Sequence, residues 1–434
     1  MKQPPRLFIP ICLETLFYML SGMVDTLMLS AVGDYAVGAV GTANSYIGIF
    51  IIMFSIISSG MVSVMTQNIG AGRPGVAYQA RQLGLLFNAV AGVLMAVFLF
   101  SGAGAILRMV GIADALYEPA LIYLKIVGGG CILNAVIPIF SSYLRAFGYT
   151  KQPLYATIVG NIANFVMNAV FLFVLHKGVA GVATATVISK ILNLCIVLYF
   201  SHKLISAKNS TERIANKTVL GQIVKVGLPS ACETALYNVA MMLVIRFLNQ
   251  MDAEGLNVTA RSYTATISNF SYCVGAALAQ ANAIMTGWHI GAGELEECDR
   301  GTKRAAFVGV CVAVCMETAI VLGSGFIMPL FTDNPEMTAL VRKLLAIDIV
   351  LEIGRVTNLV FGQALKTSGD AVFPAVIAAV FMFVFAVGGT WLFGISMGLM
   401  AVGAYIGLAS DECVRAVGMV WRWKTGKWRT KKLV

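Results

Sequence analysis

The chain has 434 residues, 58% hydrophobic and 12% charged, with a net charge of +10 and a mean hydropathy of +0.82. Soluble domains carry about 25% charged residues, so the composition excludes an ordinary soluble fold and points to a polytopic helical membrane protein. Much of the basic excess lies in loops and in the tail Trp421–Lys432, whose mix of Trp with Lys and Arg reads as an interfacial anchor rather than a nucleic-acid surface.

Met1–Arg6 is followed by an apolar stretch too long for a signal peptide and without a small-residue cleavage site, so the first helix is expected to be permanent. Twelve apolar segments can each cross about 30 Å of hydrocarbon. They run near 7–31, 37–66, 80–101, 117–144, 153–175, 180–200, 222–248, 256–286, 304–328, 337–365, 373–394 and 397–421. Gly and Pro turns separate them, among them Gly70-Ala-Gly-Arg-Pro74, Gly148-Tyr-Thr-Lys-Gln-Pro153 and Thr332-Asp-Asn-Pro335. The longest polar stretch, 201–221, is expected to be a cytoplasmic linker. It divides an N-terminal six-helix half, 1–200, from a C-terminal half, 222–421, which ends in a basic cytoplasmic tail, 422–434. Lys and Arg gather on one side, with Arg73, Arg145, Lys151, Arg300 and Lys366 among them. Both termini are therefore expected in the cytoplasm.

An internal repeat at an offset of 219 to 221 residues unites the halves. Pro10-Ile-Cys-Leu-Glu14-Thr15 with Tyr18 recurs as Pro229-Ser-Ala-Cys-Glu233-Thr234 with Tyr237. Ile69-Gly-Ala-Gly72 recurs as Ile290-Gly-Ala-Gly293, and Leu144-Arg145, Gly148 and Pro153 as Leu365-Lys366, Gly369 and Pro374. Six helices per repeat give both halves the same sense in the membrane. The expected fold is an all-α integral membrane protein of twelve transmembrane helices in two six-helix bundles, with substrate near the repeat interface.

The first segment carries two acids, Glu14 and Asp25. Eleven residues at 100° per residue bring them within about 20° of one another on one helix face. An ionisable group at membrane depth is costly and is read as facing a cavity or an ion path. Asn164 and Asn168 lie one turn apart in the fifth segment, and Thr186 begins the sixth at the same outer depth. With no basic residue assigned to that depth, Asp25 and these oxygens could hold a proton or a small hard cation; Asn164, Asn168 and Thr186 could equally be interhelical glue. Glu14 and Glu233, each with a tyrosine four residues on (Tyr18, Tyr237), are candidates for lining a cavity that meets organic cations, or for solvated helix-start residues. Glu352 with Arg355, and Asp411 and Glu412 with Arg415, are spaced to form internal ion pairs. The nine cysteines form no CxxC pair and the three histidines are dispersed, so no redox centre, tightly bound metal or cofactor is expected. A membrane enzyme would need a paired acid and base, a nucleophile with His or a metal cluster, and the pattern offers none.

The run Met23-Val-Asp25-Thr26, the Ile-Gly-Ala-Gly turns, Leu144-Arg-Ala-Phe-Gly-Tyr-Thr-Lys-Gln-Pro153 and Gly178-Val-Ala-Gly-Val-Ala-Thr-Ala-Thr-Val-Ile-Ser189 resemble the multidrug and toxic compound extrusion (MATE) transporters over almost the whole chain. The resemblance implies a secondary antiporter that exports cationic, often aromatic, compounds in exchange for protons or sodium ions by alternating access. It further implies a cation site at Asp25, Asn164, Asn168 and Thr186, with Asn168 standing where the family often has a second aspartate. Arg355 occupies the region where some members use an aspartate of the tenth helix. The expectation is thus a monomeric, multi-pass plasma-membrane antiporter with small-molecule substrates, the lipid bilayer as its surroundings, no nucleic-acid partner, H+ or Na+ as coupling ion and Asp25 as the place for sodium. A lipid-linked oligosaccharide flippase of the same broad architecture is the alternative; it would need a strongly basic cavity.

Overall fold

In a computed structural model, residues 4–110, 112, 114–205, 212–251 and 255–434 are described. Apolar runs this long satisfy their backbone polar groups internally, so in lipid they close into helices. The helices are α1 (Pro4–Ser30), α2 (Asp34–Gly70), α3 (Pro74–Val110), α4 (Asp114–Gly129), α5 (Cys131–Ala146), α6 (Lys151–Ala169), α7 (Gly178–Leu204), α8 (Asn216–Met251), α9 (Leu256–Ala292), α10 (Leu295–Ile327), α11 (Pro335–Ser368), α12 (Val372–Phe381) and α13 (Met400–Lys424). A 42° bend after Gly129 joins α4 and α5 into one span. Among the described residues, eight helices are long and apolar enough to cross a membrane, and the bent pair counted as one span makes nine. The more polar α9, α11 and α13 complete twelve spans, so the fold is the expected all-α membrane protein.

The described chain forms two compact units, 1–227 and 228–434. In the first, Leu99, Leu107, Leu124, Val127 and Leu172 share a buried core. The second has one core around Val244, Leu248, Leu344 and Leu345 and another around Val356, Phe361, Trp423 and Trp428.

The repeated glycines have a backbone reason. Gly72 and Gly293 end α2 and α9 at φ 75° and 78°, and Gly148 and Gly369 follow α5 and α11 at φ 80° and 98°. A side chain at positive φ crowds its own carbonyl, so the recurring glycine is the helix stop itself. The fifth and eleventh spans also share a π-helical ending, Val170–Val174 after α6 and Thr390–Ser396 after α12. The first begins two residues after Asn168, and such turns often adjoin functional positions.

Two expectations change. Helix takes up both ends of the 201–221 stretch, since α7 runs to Leu204 and α8 begins at Asn216; residues 206–211 lie outside the described residues. The tail is not chiefly a lipid anchor. Trp423 and Trp428 are each 1% exposed and stack at 4.2 Å, while Arg422 pairs with Asp370 at 2.7 Å and Arg429 with Glu296 at 2.6 Å. Only Trp421 of the three is exposed. The tail folds back because its indoles can be buried, with Trp423 Nε1 and Trp428 Nε1 both donating hydrogen bonds.

Candidate functional site

α1 presents Glu14, Tyr18, Ser21, Gly22 and Asp25 to one cavity of about 630 Å³ inside the first unit, as helical spacing requires. Asn161 and Asn164 of α6 line it from a second side, Thr186, Ser189, Lys190 and Asn193 of α7 from a third, and Asn134, Ser141 and Arg145 of α5 from a fourth. Ile47, Ile51, Val127, Leu133 and Ile137 make the walls apolar between these groups. A cavity of this size, with many polar groups converging between apolar walls, suits a small organic molecule that carries polar groups of its own.

Asp25 Oδ1 accepts a hydrogen bond from Asn168 Nδ2 at 2.8 Å. The same amide donates to Asn164 Oδ1 at 3.0 Å, and Asn164 Nδ2 reaches Ser189 Oγ at 3.5 Å. Asn168 is fully buried and Asn164 nearly so; Asn168 stands behind Asp25 rather than on the cavity wall. The Thr186 hydroxyl donates to Val182 O of its own helix at 2.9 Å, with the buried Tyr123 ring alongside. Thr186 thus only shares the cavity, while Asp25, Asn164 and Asn168 do meet. They meet as a hydrogen-bonded carboxylate, in which the amide of Asn168 turns a donor toward Asp25 where a second aspartate would turn another acceptor.

Asp25 is also not without a basic neighbour. Lys190, four residues after Thr186, lines the same cavity, lies within electrostatic reach of Asp25 and donates to Asn134 Oδ1 at 2.7 Å. A lysine midway along an apolar helix was visible in the sequence; only packing shows that it turns toward α1.

Glu14 and Glu233 are not bare acids awaiting a cation. Arg145 Nη2 is 2.5 Å from Glu14 Oε1, and Lys366 Nζ is 2.8 Å from Glu233 Oε2. These are the repeated Glu-Thr and Leu-Arg/Lys positions, so the repeat encodes one ion pair in each unit. Glu14 and Tyr18 remain on the wall of the first cavity. Glu233 does not line the cavity of the second unit, whereas Tyr237 does.

That second cavity, about 300 Å³, is ionic. Arg355 contacts Glu352 and stands 3.8 Å from Glu412. Arg415 is 2.6 Å from Asp411 and 2.8 Å from Glu412, and Asn358 donates to Glu412 at 3.0 Å. The ion pairs anticipated from spacing are present, and they merge into one network. Sequence reading missed Glu317, a lone acid in the apolar run of α10: its carboxylate lies with those of Asp348 and Glu352, oxygen atoms within 4.8 Å of one another, all three buried.

Two helical units, each with a cavity lined by polar groups, suit a multi-pass membrane transporter. The MatE family model matches this chain twice, over residues 10–170 and 229–392. The chain belongs to the MATE family. It is 32% identical to the uncharacterized transporter YisQ of Bacillus subtilis, across 97% of this chain and 94% of the relative. It is 20% identical to the probable multidrug resistance protein NorM of Thermotoga maritima, across 100% and 94%. Among solved structures, a MATE crystal structure in the straight conformation superposes with a TM-score of 0.88 at 21% identity, covering 98% of this chain and 96% of the other. An outward-facing multidrug resistance MATE transporter of the MOP superfamily gives 0.84 at 20% over the same shares.

Proposed function

We propose that this transporter is a secondary active antiporter that exports organic, cationic compounds from the cell in exchange for protons or sodium ions by alternating access. It would act as a monomer in the plasma membrane with both termini in the cytoplasm. The observation that carries this reading is Asp25, a carboxylate at membrane depth on the wall of a 630 Å³ cavity, held by a buried asparagine. A cationic substrate and a coupling ion would compete for that one charge. Loading Asp25 with a proton removes the charge that retains the substrate and weakens the hydrogen bond from Asn168, so α1 is free to shift against α6.

The donor set favours the proton over sodium. A sodium site needs several oxygens turned inward, whereas Asn168 turns an N–H to Asp25. The relative in Thermotoga, named a probable multidrug resistance protein, agrees with a drug-like substrate. The flippase alternative is disfavoured because Lys190 is offset by Asp25, and Arg145 by Glu14, so the first cavity is not strongly basic.

In proteoliposomes, Asp25→Asn is expected to abolish ion-driven dye efflux while leaving the protein folded; full coupled efflux by that variant would refute the mechanism. In inverted vesicles, collapsing the pH gradient alone should stop dye transport, and collapsing the sodium gradient alone should not.

A further inference from the structure

Lys190 is the group in the first cavity that the antiport reading leaves without a task. An ammonium at membrane depth is expensive to bury and offers three hydrogens. One goes to Asn134 Oδ1 at 2.7 Å. Among the described residues no carboxylate stands within ion-pair distance of it, and Asp25, the nearby acid, acts on it only through space. The other charges of the cavity, Glu14 and Arg145, neutralise one another at 2.5 Å. The cavity therefore holds one anion and one cation that face the same space without closing on each other.

Between and around them the lining is unusually rich in amides, with Asn44, Asn161, Asn164 and Asn193 joining Asn134. Asn193 Oδ1 is buried with no hydrogen-bond partner. Such a lining is suited to a ligand that itself carries donors and acceptors, since buried polar groups left without partners are costly. A purely lipophilic cation would engage Asp25 and leave Lys190 and these amides unanswered.

We infer that Lys190 is an anion anchor, and that the first cavity takes zwitterionic compounds, with a cationic nitrogen set toward Asp25 and a carboxylate toward Lys190 and the neighbouring asparagines. The inference rests on the antiport reading for the location of substrate, and it narrows the substrate class. Lys190 is then a specificity-determining residue, acting on the ligand and not on the coupling ion.

Equilibrium binding separates the two ideas, because it needs no ion gradient. Nε-dansyl-lysine is a fluorescent zwitterion, and its methyl ester is the same molecule with the carboxylate masked. Fluorescence anisotropy with the purified full chain in detergent should show the zwitterion binding about tenfold more tightly than the ester, the size expected from one added charge-assisted contact. Lys190→Met should remove that preference and leave ester binding within about twofold, and Lys190→Arg should keep it. A wild-type protein that binds the ester as well as the zwitterion overturns the inference, with or without a well-folded Lys190→Met variant. An unchanged preference in Lys190→Met overturns it too. Failure of both compounds to bind, with gradient-driven ethidium efflux intact, would refute this inference alone and leave the antiporter standing.

Discussion

The two units are built from one repeat and hold opposite kinds of polar interior. In the first, one carboxylate, Asp25, is supported by neutral amides and faced by a single lysine. In the second, five carboxylates (Glu317, Asp348, Glu352, Asp411 and Glu412) share two arginines, Arg355 and Arg415. What the repeat preserved is structural: the glycine helix stops, the π-helical endings and the pairs Glu14–Arg145 and Glu233–Lys366. What diverged is the chemistry in the cavities. Val244 lies at the position repeating Asp25 and is fully buried, so the second unit has no counterpart of the first unit's acid. A common scaffold can thus keep its helix packing while each half acquires its own charge pattern, because stops and apolar faces are set at few positions and cavity linings at others.

The contrast can be broken most forcefully through Arg415. Its guanidinium bonds Asp411 three ways and reaches Glu412 as well. Arg415→Met would strip the buried Asp411 of its arginine and leave Glu412 only the more distant Arg355. Removing one partner of a buried pair costs about 3–5 kcal/mol, so the variant should unfold at clearly lower temperature in detergent. A thermal midpoint equal to wild type would mean that the network carries no stability.

The repeated pairs should give a smaller and matched effect. Arg145→Met and Lys366→Met each strand one partly buried glutamate, for which a loss of about 1–3 kcal/mol is expected. If the repeat encodes one shared device, the two midpoints fall together. A large loss at one position and none at the other would show that the pairs have separate roles.

The mildest change sharpens the comparison from the side of the first cavity. Asn168→Asp replaces the donor facing Asp25 with a second carboxylate, making the site more like the second unit's acids and more like the family pattern. Like charges at hydrogen-bond range disfavour joint ionisation, and a cation between them relieves the repulsion. The variant should become sodium-sensitive: sodium at about ten times its Kd would add about 1.4 kcal/mol of stability. The wild type should show no comparable shift. Equal sodium stabilisation of both would show that Asn168 does not exclude the metal.

The sequence by itself determined the class, the twelve spans, the repeat and the fact that Glu14 and Asp25 share one face. Each of these depends on hydropathy, glycine placement or helical periodicity, which are properties of a segment read alone. It also led to the expectation that Asp25, Asn164, Asn168 and Thr186 lie at one depth, which comes from counting residues along each helix. Which side chains meet was decided by tertiary structure. Glu14 reads as a free acid until Arg145, 131 residues away, packs against it; the tail reads as a lipid anchor until Trp423 and Trp428 find a core to enter. Lys190 and Glu317 were in plain view as lone charges in apolar runs. Their meaning depended on how α7 and α10 are rotated about their axes, and that rotation is set by packing against neighbours, which no single segment encodes.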